Sequence, residues 1–303
     1  MAPSGGIMRK IGISTRFIFT FIAFSLSVLS FGHETIVGGK VVAKGDPLAK
    51  FTVRIRISNF LCTGTLITRN VVLTAAHCLM DEATQKIFPT ADDMDVIFNR
   101  FESPDELDLF ASSAIVPVAK AIIDRGYIGD DSRHTDQDYG LSSRKNHDVA
   151  LLRLKSDAPA DFAPIPLARK SEIEAYASSA VLAGYGTEKD VEGARVGRLK
   201  VAKVRITENG SHYARVVAEW GDGLSCHGDS GGPLLIRTPK EGYKVAGVID
   251  TGTIGCTTAS QMARIEDYAD FLERAMPRLN ASAKGLFTAA PAPIVGSRWP
   301  LRL

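Results

Sequence analysis

The 303-residue chain has little of what builds several protein classes. Its four cysteines are too few for a disulfide-built scaffold, yet enough for two staples if the chain leaves the cytosol. Neither sign of charge dominates: 36 basic and 34 acidic side chains give a formal +2. That balance argues against a nucleic-acid binder held by phosphate contacts. No uncharged apolar run approaches the roughly 20 residues needed to cross a bilayer, and no internal repeat is visible. What is present, 45% hydrophobic and 23% charged residues, is ordinary globular composition and excludes a disordered chain or a coiled coil. The length allows two modest domains, or one double-cored domain with a tail.

The N-terminus supplies the condition under which the cysteines pair. Arg9, Lys10 and Arg16 precede an apolar run from Phe17 to Leu29, and no acidic residue occurs before Glu34. A basic region, a short apolar region and the small residues Ser30 and Gly32 read as a secretory signal over residues 1–32, cut near Gly32. A buried helix or a retained anchor is the alternative. Once residues 1–35 are removed the formal charge is zero, so the small basic excess belongs to targeting and says nothing of partners. The expected product is secreted, extracellular or periplasmic, with no membrane attachment after signal removal.

From Ile36 onward, short apolar runs are broken by Gly, Pro, Asn and Asp. Phe51–Ile57 alternates apolar residues with Thr52, Arg54 and Arg56, the pattern of a half-buried strand. Further strands are expected at 65–67, 71–74, 94–98, 150–154, 180–183, 199–206, 233–236 and 245–249. Many short strands without intervening amphipathic helices indicate an all-β barrel or sandwich. Helices are expected only near Ser171–Ala177 and at Glu266–Met276, the second carrying Tyr268, Phe271, Leu272 and Ala275 on one face with Pro277 as its stop. Asp124–Asn146 reads as a long surface loop between two halves, and the residues after Leu279 as a loosely ordered tail.

Three segments carry chemistry. Cys62-Thr63-Gly64-Thr65-Leu66-Ile67 runs into Leu73-Thr74-Ala75-Ala76-His77-Cys78; His147-Asp148-Val149-Ala150-Leu151-Leu152 follows; Cys226-His227-Gly228-Asp229-Ser230-Gly231-Gly232-Pro233 comes last. Each alone has a bland reading, a packed histidine or a plain turn. Together with Ile36-Val37-Gly38-Gly39, and in this order, they resemble the trypsin/chymotrypsin family of serine endopeptidases over roughly residues 36–279. His33, His134 and His212 read as ordinary surface or packed histidines, and the family gives His147 no catalytic role.

The resemblance implies an all-β fold of two six-stranded antiparallel barrels packed face to face, divided near residues 124–170, with a C-terminal α-helix. It implies a nucleophile, Ser230, whose hydroxyl is activated by His77, while Asp148 orients and stabilises the imidazole. The backbone N–H groups of Gly228 and Ser230 would form the oxyanion hole. It implies disulfides Cys62–Cys78 and Cys226–Cys256; a Cys/His zinc site competes weakly, since neither CxxC nor HxxxH spacing occurs. It also implies a precursor in which residues 33–35 are a short propeptide. Cutting after Thr35 would free the Ile36 ammonium to pair with Asp229. Thr35 stands where the family often has Arg or Lys, so the activating protease is not identified by the residue it would cut after. Protein or peptide substrates, a monomer, and no cofactor, metal or nucleic acid complete the implied picture.

The match departs from the family at the substrate pocket. Counting back from Cys226 places Leu224 where trypsin-like members hold an aspartate, which removes the electrostatic basis for an Arg/Lys preference. Leu224, Ser225, Asp250, Gly252 and Ser260 are the expected pocket residues, apolar or mixed in character, with Asp222 a further nearby charge. Asp250 stands where the family usually has a serine that contacts the catalytic aspartate, so a second carboxylate close to Asp148 is expected, with one pKa pushed upward. Sequons begin at Asn209 and Asn280, and the acidic Glu102–Asp108 reads as a solvated loop without calcium-ligand spacing. An α/β-hydrolase fails because its order Ser, Asp, His is reversed here. A protease-like binding protein of weak activity is the alternative function.

Overall fold

The computed structural model describes residues 36–43, 45–58, 60–81, 86–87, 93–99, 113–127, 147–187, 198–209, 213–219 and 223–287. The signal segment, Glu102–Asp108, most of the expected loop after Asp124, Asp222, and His33, His134 and His212 lie outside these residues. In chain order the strands are β1 (Lys40–Val41), β2 (Thr52–Ile57), β3 (Phe60–Thr68), β4 (Val71–Thr74), β5 (Met80–Asp81), β6 (Lys86–Ile87), β7 (Met94–Phe98), β8 (Ala114–Ile123) and β9 (Ala150–Leu154). Helix α1 (Lys170–Tyr176) leads to β10 (Ala180–Gly184), β11 (Lys200–Asn209), β12 (Tyr213–Ala218), β13 (Pro233–Thr238), β14 (Gly242–Gly252), β15 (Ser260–Arg264) and helix α2 (Ala269–Arg278).

Two closed six-stranded antiparallel barrels result. The first runs β2-β3-β4-β9-β8-β7. The second runs β11-β10-β13-β14-β15-β12 and closes through β11–β12 pairing, while β1 adds to β11 from outside. Closure leaves no open sheet edge within either barrel. Inside the second barrel pack Leu182, Ala202, Val204, Val216, Leu234, Ile236, Ile249 and Met262, all buried. These are alternate residues of their strands, as the two-residue side-chain period requires.

Three departures from the sequence expectation have physical causes. Strand β2 is buried on both faces, not half-buried: Arg54 is 2% exposed and Thr52 wholly covered. The other half of the molecule supplies the cover. Tyr185, just after β10, lies with its ring centroid 5.9 Å from the Arg54 guanidinium and donates its hydroxyl to the Thr52 carbonyl at 3.3 Å. Pro277 does not stop the last helix but sits within it, one residue before its end at Arg278. A proline in the last turn forfeits its own N–H bond, and Leu279 N–H still donates to the carbonyls of Ala275 and Met276. The stretch after Leu279 is not wholly loose either. Leu286 is buried in the main core, and its carbonyl accepts the Leu167 N–H at 2.7 Å.

One buried cation is paired with two carboxylates. Lys244, almost wholly buried, meets Glu172 of α1 at 2.5 Å and also Glu241. Burial pushes its ammonium down, but the two carboxylates outweigh that and hold it above the usual lysine range. Both expected disulfides are formed, closing sequence separations of 16 and 30 residues. Each contributes on the order of 3 kcal/mol in the chain-entropy account.

If Leu286 is a core residue, Leu286→Ala should lower unfolding stability by about 2–5 kcal/mol, the usual cost of emptying a leucine site. The urea midpoint of the variant checks this; an unchanged midpoint would mean that the segment after Leu279 does not contribute to the core.

Candidate active site

The first barrel holds a histidine and an aspartate against each other. His77 follows β4 and opens a short 3-10 turn, His77–Leu79; Asp148 lies two residues before β9, and β4 pairs with β9 through Thr74 and Ala150. Pairing of those strand ends brings the two residues together although 71 positions separate them. The His77 ring donates Nδ1–H to Asp148 Oδ2 at 2.6 Å, and the His77 backbone N–H donates to Asp148 Oδ1 at 2.7 Å. Both carboxylate oxygens are therefore engaged, which fixes the ring plane as well as its position. Asp148 is 1% exposed, while about a third of the His77 side chain faces solvent. Burial pushes the Asp148 carboxyl upward, but His77 and the hydrogen bonds outweigh it and hold the group below its ordinary range.

Ser230 comes from the second barrel, in the turn that enters β13. Its carbonyl accepts the Thr63 N–H of β3 at 2.8 Å and lies 3.7 Å from Cys78 Sγ, whose other neighbour at 3.9 Å is His77 Nε2. Ser230 and His77 thus meet the same sulfur across the barrel junction. Thr63 does more of the joining. Its hydroxyl donates to the Gly228 carbonyl at 2.8 Å and accepts the Tyr185 N–H at 3.1 Å, while its own carbonyl accepts the Thr74 hydroxyl at 3.0 Å. Gly231 has φ +81°, and a Cβ there would meet Thr74 Oγ1 at 2.0 Å. Only glycine lets this turn approach the first barrel so closely.

The turn is held from beneath by Asp229, which is wholly buried. Its Oδ2 accepts the Cys226 N–H at 2.9 Å and its Oδ1 the Gly186 N–H at 2.7 Å. Burial pushes its carboxyl up to about 7, against the pull of those two N–H groups and of Lys200. Gly228 adopts φ +91°, and among the described residues the N–H groups of Gly228 and Ser230 have no hydrogen-bond partner. Two unpaired donors on one strained turn can receive an oxyanion.

Asp250, expected among the pocket residues and as a second carboxylate near Asp148, has its carboxylate at the His77–Asp148 pair. Donor atoms of the three side chains lie within 4.8 Å of one another, and Gln261 donates to Asp250 Oδ2 at 2.9 Å. Burial and then the charge of Asp148 push the Asp250 carboxyl well above its ordinary range, while Asp148 is pulled down.

Leu224, 2% exposed, packs among the second barrel's apolar residues. Ser225 and Ser260 share a hydrogen bond of 2.7 Å, and Gly252 lies beside them. Ile36 is fully buried and Val37 bridges to Leu224. His147 pairs with Asp124 at 2.9 Å. Thr63, Tyr185, Gln261 and Lys200 escaped the sequence reading. A signal existed for one of them: Gly184-Tyr185-Gly186 places two glycines whose Cβ atoms would strike Asp229 at 2.1 and 2.5 Å.

Two clusters are tight enough for a metal ion, Cys62–His77–Cys78 and His77–Asp148–Asp250. The first is disqualified because its sulfurs are bonded to each other. In the second, a metal ion would have to displace the hydrogen bonds that His77, Asp148 and Gln261 make within the cluster.

The trypsin family model matches residues 36–272. The chain belongs to the trypsin family. Transmembrane protease serine 9 of Rattus norvegicus is 26% identical over 282 residues, covering 88% of this chain and 24% of that protein. This trypsin-family chain therefore spans about a quarter of the length of that curated relative. Among the described residues no helix is long and apolar enough to cross a membrane.

Because the folded-state pKa of Asp250 lies above its unfolded value, its proton is held more tightly in the native chain. Stability from this group is therefore lost as pH rises from the ordinary carboxylate range toward the raised value. Asp250→Asn, which cannot ionise, should gain stability relative to the unsubstituted chain at pH 8 compared with pH 5. Urea unfolding at the two pH values measures the difference; a gap that stays constant or shrinks contradicts the raised Asp250 pKa.

Proposed function

We propose that the chain is a serine endopeptidase that hydrolyses peptide bonds through Ser230, His77 and Asp148. The observation that carries the proposal is the doubly hydrogen-bonded His77–Asp148 pair, placed across the barrel junction from Ser230. Ser230 Oγ attacks the scissile carbonyl as His77 takes its proton, forming a tetrahedral oxyanion that the Gly228 and Ser230 N–H groups receive. Collapse passes the proton from His77 to the leaving amine and leaves an acyl-enzyme, which water then hydrolyses by the reverse sequence of proton transfers. Asp148 holds the imidazole in the tautomer that presents Nε2 to the serine. Asp250 lies against this pair, and burial and the Asp148 charge raise its pKa, which disfavours a second negative charge there.

Leu224 closes the floor of the pocket without a carboxylate, and Ser225 and Ser260 satisfy each other. The residue before the scissile bond is accordingly apolar or of medium size. Secretion through the 1–32 signal, release of residues 33–35 and pairing of the Ile36 ammonium with Asp229 belong to the same reading. So does a monomer acting on protein or peptide substrates.

Fluorophosphonate labelling tests the chemistry. The chain that begins at Ile36 should label, Ser230→Ala should not, and His77→Ala should slow labelling by roughly 10⁴–10⁶-fold. No labelling of the unsubstituted chain would point to a binding protein on a protease fold. Cleavage of a peptide library tests the pocket: apolar residues should predominate before the cut, and a dominant Arg/Lys preference would refute the assignment of Leu224 to the floor.

A further inference from the structure

Strands β8 and β9 and the end of α2 enclose a cavity of about 330 Å³. Leu154 and Leu279, both 1% exposed, form part of its wall, and Lys120, Arg153, Lys155 and Arg278 also line it. No carboxylate lines it among the described residues. Four cations thus share one cavity in a chain whose charges balance once residues 1–35 are set aside. Strand register sharpens the conflict. Lys120 pairs directly opposite Arg153, after a slip in the β8–β9 register between Val118 and Lys120. Like charges opposite one another across a strand pair repel, and a bulge of this kind re-aims a side chain.

The end of α2 accounts for two of the cations. Lys120 Nζ donates to the Arg278 carbonyl at 2.9 Å, and the positive charges of both residues suit the negative end of a helix dipole. Arg153 is not explained in this way. Its Nη1 is buried and has no hydrogen-bond partner among the described residues. A charged donor left buried and unmade is costly, and an anionic acceptor in the cavity that Arg153 lines offsets that cost. A guanidinium presents its donors in a planar fork that matches the oxygens of a sulfate or phosphate group. We propose that this cavity is a binding site for a tetrahedral oxyanion, a sulfate or phosphate group, received by the Arg153 fork and the Lys120 ammonium. The ammonium keeps donors beyond the one given to Arg278. The cavity is at the lower end of small-ligand sites in size, so it takes the anionic group and little of what carries it. The site uses none of Ser230, His77 and Asp148, and it stands apart from the endopeptidase reading.

Thermal unfolding of the full chain in millimolar sulfate or phosphate, with chloride holding the ionic strength constant, tests this. A ligand that binds only the folded chain raises the midpoint in proportion to site occupancy, whereas exclusion of these salts from the surface acts on every variant alike. The unsubstituted chain and Lys240→Gln, which removes an exposed cation elsewhere, should show the same rise. Lys120→Gln and Arg153→Gln should each weaken binding roughly 10–100-fold, the effect of deleting a charge-assisted donor. Arg153→Lys, which keeps the charge but not the fork, should weaken it by an intermediate amount. If Arg153→Gln fails to fold, Lys120→Gln, at an exposed position, carries the same comparison. A heparin-derived hexasaccharide that binds more tightly than inorganic sulfate would place the group on a sulfated polysaccharide, and equal or weaker binding would place it on a free ion; both outcomes uphold the site. No rise beyond that in chloride, an unchanged affinity in Lys120→Gln, or an equal loss in Lys240→Gln would overturn the proposal.

Discussion

A carboxylate with no access to water organises this molecule. Asp229 sits beneath the turn that carries Ser230, and its two oxygens accept N–H groups from Cys226 on one side and Gly186 on the other. Burial makes its charge costly, so everything around it is arranged to receive that charge or to come close enough to bond it. Glycines at 184 and 186 give up side chains so that the backbone can reach it. Lys200 of β11 is wholly buried, and its charge draws the Asp229 carboxyl down against the effect of burial. The turn's shape, with Gly228 at positive φ and two donors unpaired, follows from where that carboxylate is held.

The two barrels are joined by the same economy of contacts. Thr63 uses its N–H, its hydroxyl and its carbonyl to connect Ser230, Gly228, Tyr185 and Thr74. Every one of these bonds is buried or partly buried, where an unmade partner is expensive. The junction is therefore specified in geometry as well as stabilised, and the histidine of one barrel faces the serine turn of the other. The second carboxylate at 250 extends the network by one step. Asp250, its carboxyl pushed upward by burial and by the charge of Asp148, lies against the fixed aspartate and accepts from Gln261.

Much of this was legible in the residues. Strands at 71–74, 94–98 and 150–154 coincide with the short apolar runs of the sequence, because nearly all their residues are buried. The strands at 114–123, 213–218 and 260–264 were not legible. Val116, Val118 and Ile122 do alternate in the first of these, but Pro117 and two alanines blur the pattern, and in β15 all five residues are buried. Arg54 and Lys200 defeat pattern reading for a single reason: each is a charged side chain on a strand whose cover or partner comes from distant sequence.

Local chemistry in the sequence determined which residue types were available for the site and in what order, since His77, Asp148 and Ser230 sit in short motifs with their own turn and strand signals. It also determined that two pairs of cysteines could staple the chain, and that no aspartate stood at position 224. Tertiary structure alone decided that Thr63 bridges the barrels and that Leu286 returns to the core. Those outcomes depend on strand register and barrel closure, which sum many weak pairings over the whole chain. No short window of sequence contains that sum.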